Sequence, residues 1–195
     1  NLLDALLIAS TRGLNTIELL APLDVEAGED ISNMEIISRN WTTITLNAGA
    51  LSANTRFRKV SIYGELSGLW NVMDDCWVYE ITNFCGWLRD SSFVDVTLAP
   101  YSVANTGNSF FDDCLPMLAG AVSVLTMNTD TYVSFTQAFE RYEIRGMTAG
   151  STLYMGLMEG IVEIDSTCVA GDIFISGVGR LINNSALDVD ETGLV

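Results

Sequence analysis

The stretch that decides the fold is a short motif that occurs three times, as Val72-Met73-Asp74-Asp75-Cys76-Trp77, Leu88-Arg89-Asp90-Ser91-Ser92-Phe93 and Phe110-Phe111-Asp112-Asp113-Cys114-Leu115. Each copy places an aspartate third, a Cys or Ser fifth and an apolar residue last. The third-position aspartates Asp74, Asp90 and Asp112 lie 16 and 22 residues apart. Irregular spacing near twenty residues is typical of a parallel β-helix, whose successive rungs of short strands stack around one shared core.

A second pattern, apolar-x-apolar-x-Gly, also recurs, at residues 60–64, 142–146 and 173–177. From Thr16 onward the chain consists of short β-branched segments bounded by Gly, Asn, Asp or Pro, which predicts a mainly β protein. A β-sandwich or jelly roll is the main alternative. That architecture would show more hairpin turns, and the sequence contains no Asn-Gly or Asp-Gly pair.

The repeated motif also suggests how the rungs pack. We expect its three small side chains to be equivalent and to stack in a ladder inside the coil: Cys76, Ser92 and Cys114. A bulky residue at this position would overpack the interior and destabilise the fold. The aspartates of the motif are then turn residues, because Asp bonds its own backbone and accepts unusual dihedral angles.

The first residues predict a short helix. Leucines at helical spacing follow Asn1, which can serve as the N-cap, and Gly13 follows as the C-terminal cap. We expect this helix, residues 1–13, to cover the end of the coil, because an open end exposes unpaired backbone groups. The β-helix body is predicted over 14–185, and an acidic C-terminal segment that can lead into further sequence over 186–195.

Charge and composition exclude several classes of function. The 195 residues include 25 acidic and 9 basic side chains, and this net charge of −16 argues against nucleic acid and anionic membranes as partners. Histidine is absent, which excludes Ser-His-Asp, Cys-His and His-ligated metal mechanisms. No run of apolar residues approaches the roughly 18 that span a bilayer.

We expect neither a cofactor nor a metal. The four cysteines form no Cys-x-x-Cys pair, so small buried side chains in a reducing compartment are a better interpretation than a zinc site. The acidic run at 188–191 lacks the spacing and the glycine of a calcium loop, which favours a solvated acidic tail.

Among the residues of the repeated motifs, the carboxylates are the candidate catalytic groups. Five aspartates could line one groove in the manner of a glycosidase: Asp74, Asp75, Asp90, Asp112 and Asp113. Turn chemistry explains their recurrence without a substrate and is the favoured interpretation. A lyase would need basic residues near the acidic ones. Arg89 is the one basic residue inside the motifs, so the sequence gives little support for a lyase. We therefore predict no catalytic residue.

Trp77 and Tyr79 are the candidate contact aromatics. They lie two residues apart, so within a strand both side chains point to one face. On an outer face they would stack on sugars or anchor a protein partner. In the interior they would pack the core, and the sequence leaves both interpretations open.

Three segments resemble β-helix regions of virion-associated structural proteins of tailed bacteriophages. They are the opening Asn1-Leu2-Leu3-Asp4-Ala5-Leu6-Leu7-Ile8-Ala9 with Arg12-Gly13-Leu14-Asn15-Thr16-Ile17, the residues 67–116, and the close Ile173-Phe174-Ile175-Ser176-Gly177-Val178-Gly179-Arg180-Leu181-Ile182-Asn183-Asn184-Ser185. These phage proteins are similar in outline to pectate-lyase-like coils. The resemblance implies a single-stranded right-handed parallel β-helix and carries no catalytic signature.

What the resemblance implies about function is a non-enzymatic structural virion protein of a tailed phage, in a tail spike or fibre, a baseplate or a head decoration. Such a protein is assembled in the host cytoplasm and offers a rigid surface for assembly or host attachment. Its expected partners are other virion proteins, further copies of itself in a homo-oligomer such as a trimer, and a host surface glycan. A polysaccharide-degrading tailspike enzyme with carboxylates in a groove is the alternative, and a bacterial surface adhesin is a third interpretation.

Overall fold

The chain winds into a parallel β-solenoid of about eight turns, preceded by a short N-terminal helix. The computed structural model describes residues 1–99, 108–116, 122–128, 130–138 and 140–195. Within these ranges every strand pair is parallel, as successive rungs of a coil require. The predicted parallel β-helix is confirmed, and the β-sandwich alternative is wrong.

The helix, α1 (Leu2–Arg12), begins and ends where its capping residues predict. The side chain of Asn1 accepts a hydrogen bond from the backbone N–H of Asp4 at 2.9 Å. Gly13 adopts the left-handed conformation with φ 66°, which lets the next N–H bond back to Ala9 O at 2.8 Å. Leu2 and Ala9 are buried, so one face of α1 covers the first rung.

The sixteen strands of the described ranges form two long sides of the coil. Their bounds are β1 (Thr16–Leu19), β2 (Leu23–Val25), β3 (Glu35–Leu46), β4 (Arg56–Glu65), β5 (Asn71–Asp74), β6 (Trp77–Phe84), β7 (Gly86–Arg89), β8 (Ser92–Leu98), β9 (Asn108–Asp112), β10 (Leu115–Pro116), β11 (Val122–Thr126), β12 (Tyr132–Ala138), β13 (Arg141–Arg145), β14 (Thr152–Ile164), β15 (Asp172–Asn183) and β16 (Val189–Leu194). Side A contains β1, β5, β7, β9, β12 and β16, and side B contains β2, β6, β8, β10, β11 and β13. The long strands β3, β4, β14 and β15 pass round the corner between the sides and contribute to both.

The core is a set of apolar columns, because equivalent residues of successive rungs point inward together. On side A one fully buried column contains Phe57, Met73, Leu88 and Phe111. Side B contributes a matching column: Ile44, Ile62, Val78 and Phe93. Alternation along each strand places one face inside and the other in solvent, so polar and aromatic residues of the outer face are free to serve other roles.

The register corrects the predicted ladder of small residues. Asp74 pairs with Arg89, and Arg89 pairs with Asp112, so the middle copy of the motif is displaced by one residue. Ser91 therefore occupies the position of Cys76 and Cys114, whereas Ser92 pairs with Trp77 on the next strand. The equivalence of Ser92 with the two cysteines is wrong, because the rung before the middle copy is one residue shorter than the motif implies.

The same displacement by one residue changes which aspartates are equivalent at the corner between the two sides. Asp75, Asp90 and Asp113 are the equivalent residues, and each has a positive φ, of 51°, 46° and 48°. Asp tolerates this left-handed conformation better than most residues do. The turn interpretation of the motif therefore holds at Asp90, while Asp74 and Asp112 end the preceding strands β5 and β9.

The C-terminal segment is not a free tail. β16 pairs in parallel with β15, and Val189 and Leu194 pack against the end of the core. Its acidic side chains, Asp190 and Glu191 among them, stay in solvent. The predicted boundary at residue 185 is thus crossed by the sheet, because three apolar residues of this segment, Leu187, Val189 and Leu194, pack against the core.

Candidate binding surface

The outer aromatic residues of side B form two stacked pairs. Trp77 is 45% exposed and Tyr79 is half-buried, while Val78 between them is fully buried. The prediction that both aromatic rings share one face is confirmed, and that face is the outer one. Core packing, the other interpretation of this pair, is wrong.

Each of these two rings stacks on a ring from an earlier rung. Trp77 lies 5.6 Å from Trp41 with an angle of 20° between the ring planes, and Tyr79 lies 4.3 Å from Tyr63 with an angle of 5°. The indole N–H of Trp41 donates to the backbone oxygen of Asp75 at 3.0 Å, which fixes the first pair. Burial, with Tyr79 as a second cause, raises the pKa of Tyr63. We call Trp41, Trp77, Tyr63 and Tyr79 the side B aromatic patch.

Side A carries a longer outer series of rings. Six aromatic residues follow one another along the coil, with neighbouring ring centres 4.6–6.3 Å apart: Trp70, Trp87, Phe110, Tyr132, Tyr154 and Phe174. We call this series the outer ladder. No sequence motif indicates this series, because its members are widely separated along the chain and come together only in the register of the folded coil.

Stacking along the coil determines which parts of these rings are exposed to solvent. In the best aligned pair of the outer ladder, Tyr154 and Phe174, the ring planes differ by 9°, and in Trp87 and Phe110 by 15°. Rings stacked this way cover one another's faces and present mainly their edges to solvent.

The small residues at the corner are structural. Cys76 Sγ lies 3.4 Å from the carbonyl oxygen of Phe57 on the preceding rung and 3.3 Å from that of Asp74. Ser91 Oγ repeats the contact, 3.4 Å from the oxygen of Met73, and Cys114 Sγ lies 3.3 Å from that of Leu88. Burial raises the pKa of Cys76 to about 12 and that of Cys114 further still, so neither thiol is a nucleophile at neutral pH.

The corner aspartates lie close to basic side chains. Asp74 accepts a hydrogen bond from Arg56 Nε at 2.7 Å, and Lys59 Nζ lies 3.8 Å from Asp75. Asp112 accepts from the hydroxyl of Thr136. Arg89 is the one basic residue inside the repeated motifs, and the fold brings further basic residues from β4 into the same surface groove. These contacts, together with the left-handed turns, account for the aspartates by local structure.

Side B also carries a pair of carboxylates that no sequence motif indicates. Glu80 and Asp95 are register neighbours on β6 and β8, on the outer face. Burial raises the pKa of Asp95, Arg145 opposes the shift, and Glu80 adds to it. The sequence does not indicate that Glu80 and Asp95 are neighbours, because neither residue belongs to a repeated motif.

Comparison with protein-family models, with curated proteins and with solved structures finds no match to the chain. In the ranges that the structure describes, no three Cys, Asp or Glu side chains are grouped as metal ligands would be. Over the same ranges, no helix has the length and apolar character needed to cross a membrane.

Proposed function

We propose that the chain is a non-enzymatic structural protein of a tailed-phage particle, in a tail spike or fibre, a baseplate or a head decoration. Its rungs form a stiff body, and its outer aromatic residues attach that body to neighbouring virion proteins. The observation that carries the proposal is the side B aromatic patch, in which Trp77 is 45% exposed although its ring is already stacked on Trp41. A fixed, partly exposed aromatic surface is typical of docking sites.

The construction of the coil supports a mechanical role. Backbone hydrogen bonds join each rung to the next, so opening one rung removes bonds and apolar contacts from its neighbours. In the ranges that the structure describes, apolar columns of fully buried residues make up the core of the interior. Binding is therefore left to the outer faces.

Charge supports selective docking. With a net charge of −16, the chain repels nucleic acid and other anionic surfaces at long range. Uncharged aromatic patches then supply short-range contacts to partners of the right shape. Many copies on one particle add avidity to weak individual contacts. Such a protein would be assembled with the virion in the host cytoplasm.

The test uses virions of the phage or prophage whose genome carries the gene. Mass spectrometry of purified particles should detect the chain at a defined copy number. Particles carrying Trp77→Ser together with Tyr79→Ser should retain at least about tenfold fewer copies, the loss expected when an aromatic anchor is removed. Val178→Ser, at another exposed apolar position, is the matched control and should leave the copy number unchanged. Absence of the chain from wild-type particles would contradict the proposal.

A polysaccharide-degrading enzyme is the second candidate, and the Glu80–Asp95 pair is the observation that favours it. Neighbouring parallel strands lie about 4.8 Å apart, which suits the roughly 5 Å between the carboxyl groups of a retaining glycosidase. A raised pKa, as at Asp95, suits a general acid. The purified chain would then depolymerise host capsule or lipopolysaccharide, and Glu80→Gln or Asp95→Asn would abolish that activity. Activity of this kind would replace the structural proposal.

A further inference from the structure

The N-terminal helix has an apolar face that covers nothing in the described part of the chain. Leu2 and Ala9 pack on the coil, yet Leu3, Leu7 and Ile8 on the opposite face are 61%, 67% and 53% exposed. Three large exposed apolar side chains on one short helix are more than the scattered single residues that ordinary surfaces carry. Capping the coil requires one apolar face, so the second face needs its own explanation.

Charged residues flank that exposed face in a self-complementary order. Asp4, Ile8 and Arg12 are four residues apart and therefore form one row along the helix, beside Leu3 and Leu7. Asp4 lies at the start of the row, Arg12 at its end and Ile8 at its centre. Neither charged side chain forms an ion pair with any residue in the ranges that the structure describes.

We propose that α1 binds α1 of a second copy of this chain, in an antiparallel pair around a two-fold axis at Ile8. In this arrangement Asp4 of each copy faces Arg12 of the other, and Ile8 faces its own equivalent. Leu3 and Leu7 form the neighbouring row of the helix, about 100° round from this one, and lie at the edge of the contact. The inference does not depend on what the side B aromatic patch binds.

The charges of the exposed row favour a second copy of this chain over other binding partners for this face. The exposed row has one acidic and one basic residue and is neutral, whereas the chain as a whole carries −16. At physiological ionic strength the Debye length is about 8 Å, so the charges of the two coil bodies repel each other only weakly across the helix pair. An antiparallel contact satisfies both charges, and a parallel contact would place like charges together.

The size of the contact predicts a weak dimer. A helix of 11 residues is about 16 Å long, and its exposed face is smaller than the roughly 800 Å² that each partner of a standard interface buries. We therefore expect reversible dimerisation that depends on protein concentration between about 10 μM and 1 mM.

Sedimentation equilibrium of the purified chain in 0.15 M NaCl tests the pairing. The wild type should show a monomer–dimer equilibrium, and Ile8→Asp should stay monomeric while its circular dichroism spectrum is unchanged. Asp4→Arg and Arg12→Asp should each dimerise at least about tenfold more weakly, because either change creates two like-charge contacts in the symmetric pair. Asp172→Arg, which changes the net charge as Asp4→Arg does but lies on β15, is the matched control and should dimerise like the wild type.

The decisive result comes from mixing the two charge variants. In the antiparallel pair, Asp4→Arg and Arg12→Asp complement each other across the axis, so the mixture should form heterodimers although each variant alone does not. A wild type that is monomeric at 1 mM overturns the inference, as does a mixture that gains no dimer. Monomeric protein that binds phosphatidylcholine vesicles through Leu3 and Leu7 would also overturn it, and would assign the face to a lipid surface.

Discussion

At the scale of single residues, two side chains next to each other in the sequence have opposite environments. Ser91 is buried and reaches the carbonyl oxygens of Met73 and Arg89, whereas Ser92 lies on the outer side of β8 beside Trp77. A Cys or Ser at the inner position fits because it is small and can bond the carbonyl of the rung beneath. Alignment of the three motif copies by sequence places Ser92 at the inner position, which is wrong, because Ser91 occupies it.

Substitution of these serines tests the register directly. Ser91→Leu should lower the free energy of unfolding by about 1–3 kcal/mol or more, because it inserts a branched side chain into a filled interior and leaves the N–H of Cys76 without its acceptor. Ser92→Leu is the matched control and should change stability by less than about 0.5 kcal/mol. Urea denaturation measures both, and a larger loss for Ser92→Leu would support the register that the motif suggested.

Asp95 gives a pH-dependent prediction. Its pKa is raised in the folded state, so its charge opposes folding. This destabilisation is absent below the ordinary value of 3.8, grows as pH rises through the raised pKa, and is complete at neutral pH.

Asp95→Asn should therefore raise the urea midpoint at about pH 7 and leave it nearly unchanged at about pH 3. Asp172→Asn, at an exposed position on β15, removes the same charge and is the control. A variant less stable than the wild type at neutral pH would show that attraction to Arg145 outweighs burial.

At the scale of elements, the approach of one rung to the next constrains particular glycines. Gly64 lies on β4 beside an irregularity of register, with φ 106°, and a Cβ atom there would lie 2.0 Å from the carbonyl oxygen of Leu46. The recurring apolar-x-apolar-x-Gly pattern thus reflects close contact between backbones in this copy. Gly28 also has a positive φ, of 83°, but has open space around the equivalent atom.

Comparing alanine at these two glycines separates crowding from backbone strain. Gly64→Ala should destabilise the protein by about 1–3 kcal/mol more than Gly28→Ala, because both substitutions incur the strain of a positive φ and Gly64 alone of the two adds a clash. Guanidinium denaturation measures the difference. Equal losses for the two variants would contradict the close approach of β4 to β3.

The helix and the strands could be predicted from the sequence, whereas the register between successive rungs could not. The capped helix and the short β-branched strands follow from local patterns, and so does the placement of Trp77 and Tyr79 on one face, although the sequence left open whether that face is the outer one. Register does not, because successive rungs differ in length: 15 residues separate Asp75 from Asp90, and 23 separate Asp90 from Asp113. The side B aromatic patch and the Glu80–Asp95 pair depend on that register, so no motif could reveal them.

At the scale of the whole molecule, the outer surfaces of the coil differ in the residues they carry. Aromatic residues occupy the outer faces of sides A and B, charged residues line the corner, and a helix covers the first rung. The last strand, β16, extends the sheet where an acidic tail was expected. Each of these surfaces exists only if consecutive rungs stack in parallel with the register described above, which makes that stacking the central claim.

The most direct test is disulfide formation between register neighbours. Met158 and Val178 are exposed and face each other on β14 and β15. Their Cα atoms are therefore about 4.8 Å apart, within the 4.4–6.8 Å that a disulfide accepts. The double variant Met158→Cys, Val178→Cys should form an intramolecular disulfide under mild oxidation, seen by intact mass spectrometry. Val94→Cys, Val178→Cys, with the two sites four rungs apart, should not. Cross-linking of the second pair without the first would contradict the stacked coil.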